Sequence, residues 1–151
     1  MKRLGFDRFG LFLLLMTMTA SGIAAQSRER DNPLPLSSNE LKGDLDGSGD
    51  ESFYSFVAGP GEVKITVDVR SFDGTANISF ELLDKDAAKA LICCEFAQAD
   101  QTGESGRNVK TLKLARRQTL VLHLTQGPSG RGTYHIRLAG SVLLKDVDED
   151  R

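Results

Sequence analysis

The sequence predicts an all-β fold: a jelly-roll-like antiparallel β-sandwich of about eight strands. Three observations carry that expectation. Apolar residues recur with period two over much of the chain, the spacing that puts one side of a strand in a core and the other in water. Turns bearing Gly and Pro separate the alternating runs at short, nearly regular intervals. The composition, 151 residues with 40% hydrophobic and 26% charged side chains, suits one soluble domain built on one core.

Taken in order, the chain opens with Met1-Lys2-Arg3, and Arg8 adds further positive charge. An apolar run from Leu11 to Met16 follows, and small residues then lead to Ala24-Ala25. Basic, then apolar, then small is the order of a secretory signal peptide, so residues 1–25 are expected to be cleaved away. The apolar run is too short for a transmembrane helix, which needs about 20 residues. No Cys lies near the cleavage point to accept a lipid. Removing 25 of 151 residues leaves 126, with 16 basic and 20 acidic side chains and a net charge of −4. That acidic balance argues against a nucleic-acid partner. No second apolar span follows, so no membrane span is expected after signal removal, and the product is secreted or periplasmic.

Residues 26–39 read as a polar linker with Pro33 and Pro35 and no apolar period, expected to be extended. The sandwich is assigned to residues 40–144. Tyr54 and Phe56 share a face. Val63, Ile65, Val67 and Val69 alternate with Lys64, Thr66, Asp68 and Arg70, a strand with one apolar and one wet side. Ile78, Phe80 and Leu82 repeat the pattern, as do Leu112 and Leu114, then Leu120, Leu122 and Leu124. Tyr134, Ile136 and Leu138 close the series, with Thr133, His135 and Arg137 on the other side. Gly59-Pro60-Gly61, Asp73-Gly74 and Gly127-Pro128-Ser129-Gly130 are read as the turns between strands. Asp84–Ala90 has room for a short helical turn, and Gln98–Arg107 reads as a polar loop. Residues 145–151 form an acidic tail.

These motifs together resemble a known family, the bacterial pre-peptidase C-terminal domain. The resemblance rests on Gly43 before an acidic loop, the strand Asp50-Glu51-Ser52-Phe53-Tyr54-Ser55-Phe56, and the Gly59-Pro60-Gly61 turn. Leu82-Leu83-Asp84-Lys85-Asp86 and Gly132-Thr133-Tyr134-His135-Ile136-Arg137-Leu138 complete it. It implies a secreted jelly-roll sandwich without catalytic activity, of a kind that in some members binds calcium and in others matrix or polymer substrates. That family is usually appended to a protease, for which this chain has no room.

The sharpest local feature is the loop Asp44-Leu45-Asp46-Gly47-Ser48-Gly49-Asp50-Glu51. Calcium takes six to eight oxygens, and Asp44, Asp46, Asp50 and Glu51 offer four carboxylates within eight residues, with glycines that let the backbone curl. The loop starts like an EF-hand but has Ser55 where the bidentate Glu belongs, and a strand follows rather than a helix. A calcium site in a sandwich loop is one reading; a polar turn with solvated acids is the other. The second feature is Cys93-Cys94, the two cysteines of the chain. The plainest reading is one buried sulfur and one exposed thiol on a strand. A disulfide between chains, or a vicinal bond across Cα atoms only about 3.8 Å apart, are the alternatives.

His123 and His135 fall on the wet phase of their strands and read as surface residues, because no His or Cys spacing typical of a zinc site accompanies them. No nucleophile elbow and no phosphate-binding loop is present. There is no Trp, and Phe72 is the best candidate for an exposed ring. Arg107, Lys110, Lys113, Arg116 and Arg117 form a basic stretch, read as a solvated face beside acidic neighbours, with steering of an anionic partner as the alternative.

The sequence therefore predicts a non-enzymatic binding or interaction module that acts on a protein or polymer partner outside the cytoplasm, with calcium as its one candidate cofactor. Two alternatives stand beside it: an exported structural or stress-related protein acting by self-assembly, and a small hydrolase with an unrecognised site.

Overall fold

The structure is a computed structural model that describes residues 26–86 and 88–144. The signal peptide and the acidic tail lie outside the described residues. Eight strands run in chain order: β1 (Leu34–Pro35), β2 (Glu40–Leu45), β3 (Glu51–Asp73), β4 (Ala76–Asp84), β5 (Ala90–Ala99), β6 (Ser105–Leu114), β7 (Gln118–Gln126) and β8 (Arg131–Leu143). All pairings are antiparallel except the short β1–β3 ladder. The described residues hold no helix, and none is long and apolar enough to cross a membrane.

The hydrogen-bonded path runs β2-β8-β3-β7-β4-β5, with β6 also on β3. It is one path because β3 serves two layers. Its first half, Glu51–Ala58, pairs with β7, while its second half pairs with β6 over Gly61–Arg70 on one side and with β8 over Val63–Asp73 on the other, β8 also reaching Val57 and Ala58. One layer is thus β2-β8-β3-β6, and the other is β3-β7-β4-β5 with β1 alongside.

The sequence predicts a turn between two strands at Gly59-Pro60-Gly61. The structure corrects this: the tripeptide bends a single 23-residue strand. Gly59 and Gly61 have φ of +84° and +125°, values that side chains oppose, and the peptide bond before Pro60 is cis. The pairing register with β8 shifts across this bend, between Ala58 and Val63. A bend at such a place lets one strand pass from layer to layer and close a corner.

The alternating runs meet between the layers. Val63, Ile65, Val67, Val69, Ile136 and Leu138 face Phe80, Leu82, Leu120 and Leu122 in one buried cluster. Burying each such side chain stabilises the fold by about 1.5–3 kcal/mol, which is why the β-branched run on β3 dictates its own orientation. Tyr54 and Tyr134 join this core. Burial pushes both phenols up, Tyr54 to about 12, so both stay neutral. Gly43 is fixed by Tyr134: a Cβ there would come within 2.5 Å of the phenol oxygen.

Residues 26–39 make a hydrogen-bonded turn at Glu29–Asn32 and are docked along β3. Leu34 and Pro35 pair with Tyr54 and Ser55, the Leu36 amide donates to the Ser55 carbonyl, and Leu36 is buried. The Phe53 amide donates to the Ser27 carbonyl. The backbone groups along this edge of β3 thereby find partners that an unpaired edge would lack.

The expected polar loop at Gln98–Arg107 shrinks to the few residues between β5 and β6, with Ala97 and Ala99 buried. Where a helical turn had room, the Asp84 carboxylate accepts from the Ala88 and Lys89 amides and fixes a hydrogen-bonded turn.

Candidate functional site

The outer face of the β2-β8-β3-β6 layer collects the polar phase of four strands. Register sets its rows. Lys42 lies opposite His135, His135 opposite Asp68, and Asp68 opposite Arg107. One pleat repeat away, Asp44, Thr133, Arg70 and Ser105 form the parallel row. These two rows and Arg137 line a cavity of roughly 760 Å3.

Asp68 organises the cavity. It accepts hydrogen bonds from Arg107 Nε and from Arg137 Nη2, the latter at 2.7 Å. Burial alone would raise its carboxyl, yet the two guanidinium hydrogen bonds and charges hold it below the usual carboxylate range. Arg137 Nε is buried with no partner among the described residues. His135 Nε2 contacts Glu40 Oε2 at 3.2 Å, and this contact holds Glu40 below its ordinary value. Four cations, Lys42, Arg70, Arg107 and Arg137, thus line the cavity against two carboxylates, Asp44 and Asp68, on a chain whose net charge is −2.

The acidic loop behaves differently from the calcium expectation. Its glycines do curl the backbone, with Gly47 and Gly49 both at φ +74°. Its carboxylates, however, turn to separate partners. Asp44 lines the cavity just described. Asp46 Oδ1 accepts from the Ser48 amide at 3.0 Å, and hydrogen bonding from Ser48 lowers its pKa. Asp50 holds Arg28 at 2.6 Å. Glu51 lies 3.7 Å from His123 Nε2 on the opposite face. No three of these four carboxylates come within 4.8 Å of one another.

Cys93 and Cys94 are bonded to each other. This corrects the expectation of one buried sulfur and one exposed thiol: both residues are exposed, and neither thiol is free. The reason is a bulge in β5, where the register with β4 shifts between Phe80 and Leu82. His123 is also corrected. It lies on the wet phase as expected, but its ring stacks on Phe53 with centroids 4.3 Å apart, and its side chain is only 17% exposed. Phe72 is exposed as predicted, and Phe96 is a second exposed ring. In the basic stretch, Arg107 meets Asp68 and Lys110 meets Glu95. Asp68, Arg137, Lys42 and Glu81 were not singled out from the sequence. Alternation gave the outward phase of Asp68 and Arg137, but only strand register brings them to one place.

No family model and no curated protein matches the chain. Among solved structures, it is similar to the pre-peptidase C-terminal domain of collagenase from Bacillus anthracis, at 19% identity and a TM-score of 0.41. That match covers 72% of this chain and 91% of that one. The chain is also similar to the CBM36-1 domain of a multidomain xylanase from the hindgut metagenome of Trinervitermes trinervoides. There the identity is 10% and the TM-score 0.43, covering 75% of this chain and 94% of that one.

Proposed function

We propose that this chain is an exported, non-catalytic binding module and that the four-strand polar face around Asp68 is its ligand surface, suited to an acidic polysaccharide. One observation carries the reading: four cations and two carboxylates line one cavity on a rigid sheet, with Asp68 splinting two guanidiniums. A guanidinium has five donors, so contact with Asp68 leaves donors over for a carboxylate ligand. The interleaved Asp44 and Asp68 would accept sugar hydroxyls, and they make the face a poor match for the dense charge of a nucleic acid. Export rests on the order of charge and hydropathy in residues 1–25.

The acids support a non-catalytic reading. A general acid at neutral pH needs a raised carboxyl pKa, whereas Glu40, Asp46, Asp68 and Glu95 are all lowered. Assembly through an exposed thiol finds no support in the paired cysteines. Calcium at the Asp44–Glu51 loop remains open only through a rearrangement in which Asp50 exchanges Arg28 for the ion.

Affinity electrophoresis through gels containing polygalacturonate or neutral xylan tests the proposal. The full chain should be retarded by polygalacturonate, less so as salt rises, and Arg107→Ala with Arg137→Ala should weaken that affinity by about tenfold or more. Equal retardation in both polymers, or none in either, would overturn it.

A further inference from the structure

The opposite outer face carries a different constellation, independent of the cavity around Asp68. On β4 and β5, Phe80 pairs with Glu95 and Leu82 pairs with Ile92. Cys93 and Cys94 together therefore oppose the single residue Glu81. A regular strand sends adjacent side chains to opposite faces. A bulge re-aims them, and here Cys94 takes φ +63°. Both sulfurs reach the same carboxylate: Cys93 Sγ lies 3.5 Å and Cys94 Sγ 3.9 Å from Glu81 Oε1.

A neighbouring side chain from β7, outside the group of mutually close donor atoms, supports Glu81. His123 is the register partner of Glu81, and its Nδ1 lies 3.1 Å from Glu81 Oε2. Its other nitrogen, Nε2, faces Thr125 Oγ1 at 3.4 Å and Glu51 Oε2 at 3.7 Å. The stack on Phe53 fixes the ring plane. Among the described residues, Glu81, Cys93 and Cys94 are the group of ligating side chains whose donor atoms all lie within 4.8 Å of one another.

We propose that this is a redox-gated metal site: when the Cys93–Cys94 disulfide is reduced, the two thiolates and the Glu81 carboxylate bind one thiophilic divalent cation of the zinc type, while His123 Nδ1 holds that carboxylate by its other oxygen. Ligands at ~2.3 Å (sulfur) and ~2.1 Å (oxygen) on a tetrahedral ion lie ~3.6 Å apart, close to the sulfur–oxygen separations already present. Two sulfurs with a carboxylate select zinc-like ions over calcium, which wants only oxygen, and leave a fourth position for water. His123, whose other nitrogen faces Thr125 and Glu51, would orient the Glu81 carboxylate from outside the ligand set.

While the sulfurs are bonded to each other they offer no thiolate, so the oxidised site is closed. A dithiol donor opens it. That donor gives two electrons and two protons, the Cys93–Cys94 bond breaks to two thiols, and the donor closes to its own disulfide. Metal binding then releases the two thiol protons, because the ligands are thiolates.

The test uses the full chain without a polyhistidine tag, titrated with Zn2+ and with Co2+, with and without a phosphine reductant. The reduced chain should bind one ion, and its Co2+ form should show thiolate-to-metal absorption in the near ultraviolet and tetrahedral bands in the visible. The oxidised chain and the Cys93→Ser, Cys94→Ser double variant should show neither. Glu81→Gln and His123→Ala should each lower the Zn2+ affinity of the reduced chain by about tenfold or more. Glu81→Gln is isosteric and half-buried, so it keeps the test decisive if His123→Ala loosens the Phe53 stack. Equal Zn2+ binding by oxidised and reduced chains would overturn the proposal. So would a reduced chain indifferent to Glu81→Gln, or one metal shared by four sulfurs from two chains.

Discussion

The two outer faces of the sandwich share one long strand and treat its outward residues in opposite ways. On the β2-β8-β3-β6 layer, the outward residues of β3 are Glu62, Lys64, Thr66, Asp68 and Arg70, and they meet solvent and ions. On the other layer the same strand turns out Phe53, which is 4% exposed and joins Leu83 and Val121 in a small buried cluster. Arg28 and Arg30 line a cavity beside it, together with Glu51, Phe53, Glu81, Leu83 and His123. Leaving the main core is therefore not the same as meeting water. Alternation decides the first, and whatever is laid over the face decides the second.

The largest expected effect breaks or keeps that contrast directly. Phe53→Ala should destabilise the protein by about 3 kcal/mol, close to the loss for a core aromatic, although Phe53 points away from the main core. Lys64→Ala, outward on the other half of β3, should cost under about 0.5 kcal/mol. Urea midpoints of the two variants decide the matter; similar midpoints would mean that the apolar cluster over the second layer contributes nothing. Gly43→Ala should come next, at about 1–3 kcal/mol. Its Cβ would strike the Tyr134 ring, whose displacement should also disturb the cavity that Tyr134 helps to line. A variant as stable as the parent would show that the ring moves freely there.

How much of this contrast was legible in the sequence depended on what alternation can report. Val63 to Val69 and Tyr134 to Leu138 announced their strands because one side is uniformly apolar. β5 did not announce itself: its bulge at Cys93-Cys94 changes the phase midway, so Leu91, Ile92, Ala97 and Ala99 do not fall on one period. The bend at Gly59-Pro60-Gly61 looked like a hairpin because a corner in one strand and a turn between two use the same residues. Residues 26–39 looked like a linker because Leu34 and Leu36 are too few to show a period, and their docking depends on a free edge of β3 formed elsewhere in the chain. The same limit governs the sites. Asp68, Arg107 and Arg137 are far apart in sequence, as are Glu81, Cys93 and His123, and only strand register makes neighbours of them.

A smaller effect belongs to the polar face. Asp68→Asn should cost about 1 kcal/mol at neutral pH, modest because the pairs are partly exposed. The sign with pH follows from the lowered pKa of Asp68. Its carboxylate stabilises the fold above the unfolded value, about 3.9, and that contribution disappears as pH falls through the lower folded value. Parent and variant should therefore converge in stability on the acid side and separate as pH rises past about 4. A constant gap between them across pH 2 to 6 would mean that Asp68 acts through packing rather than charge.

The smallest effect lies where the two faces join. The Asp44–Glu51 loop leads from β2 in one layer to β3 in the other, and its acids divide accordingly: Asp44 toward the polar cavity, Glu51 toward His123. A loop whose carboxylates are drawn to opposite faces has few left for one ion, and Asp50 is held by Arg28. Calcium in place of chelator should then move the thermal midpoint of the parent by less than about a degree, since stabilisation grows only as the ligand exceeds its Kd. Arg28→Ala frees Asp50, and the calcium-dependent shift should grow while the response to magnesium stays flat, because the larger cation tolerates irregular oxygen sets. A shift of several degrees in the parent itself would mean that the ion outcompetes both Arg28 and the pull of the two faces, and that the loop, rather than the sheets, sets how these faces are joined.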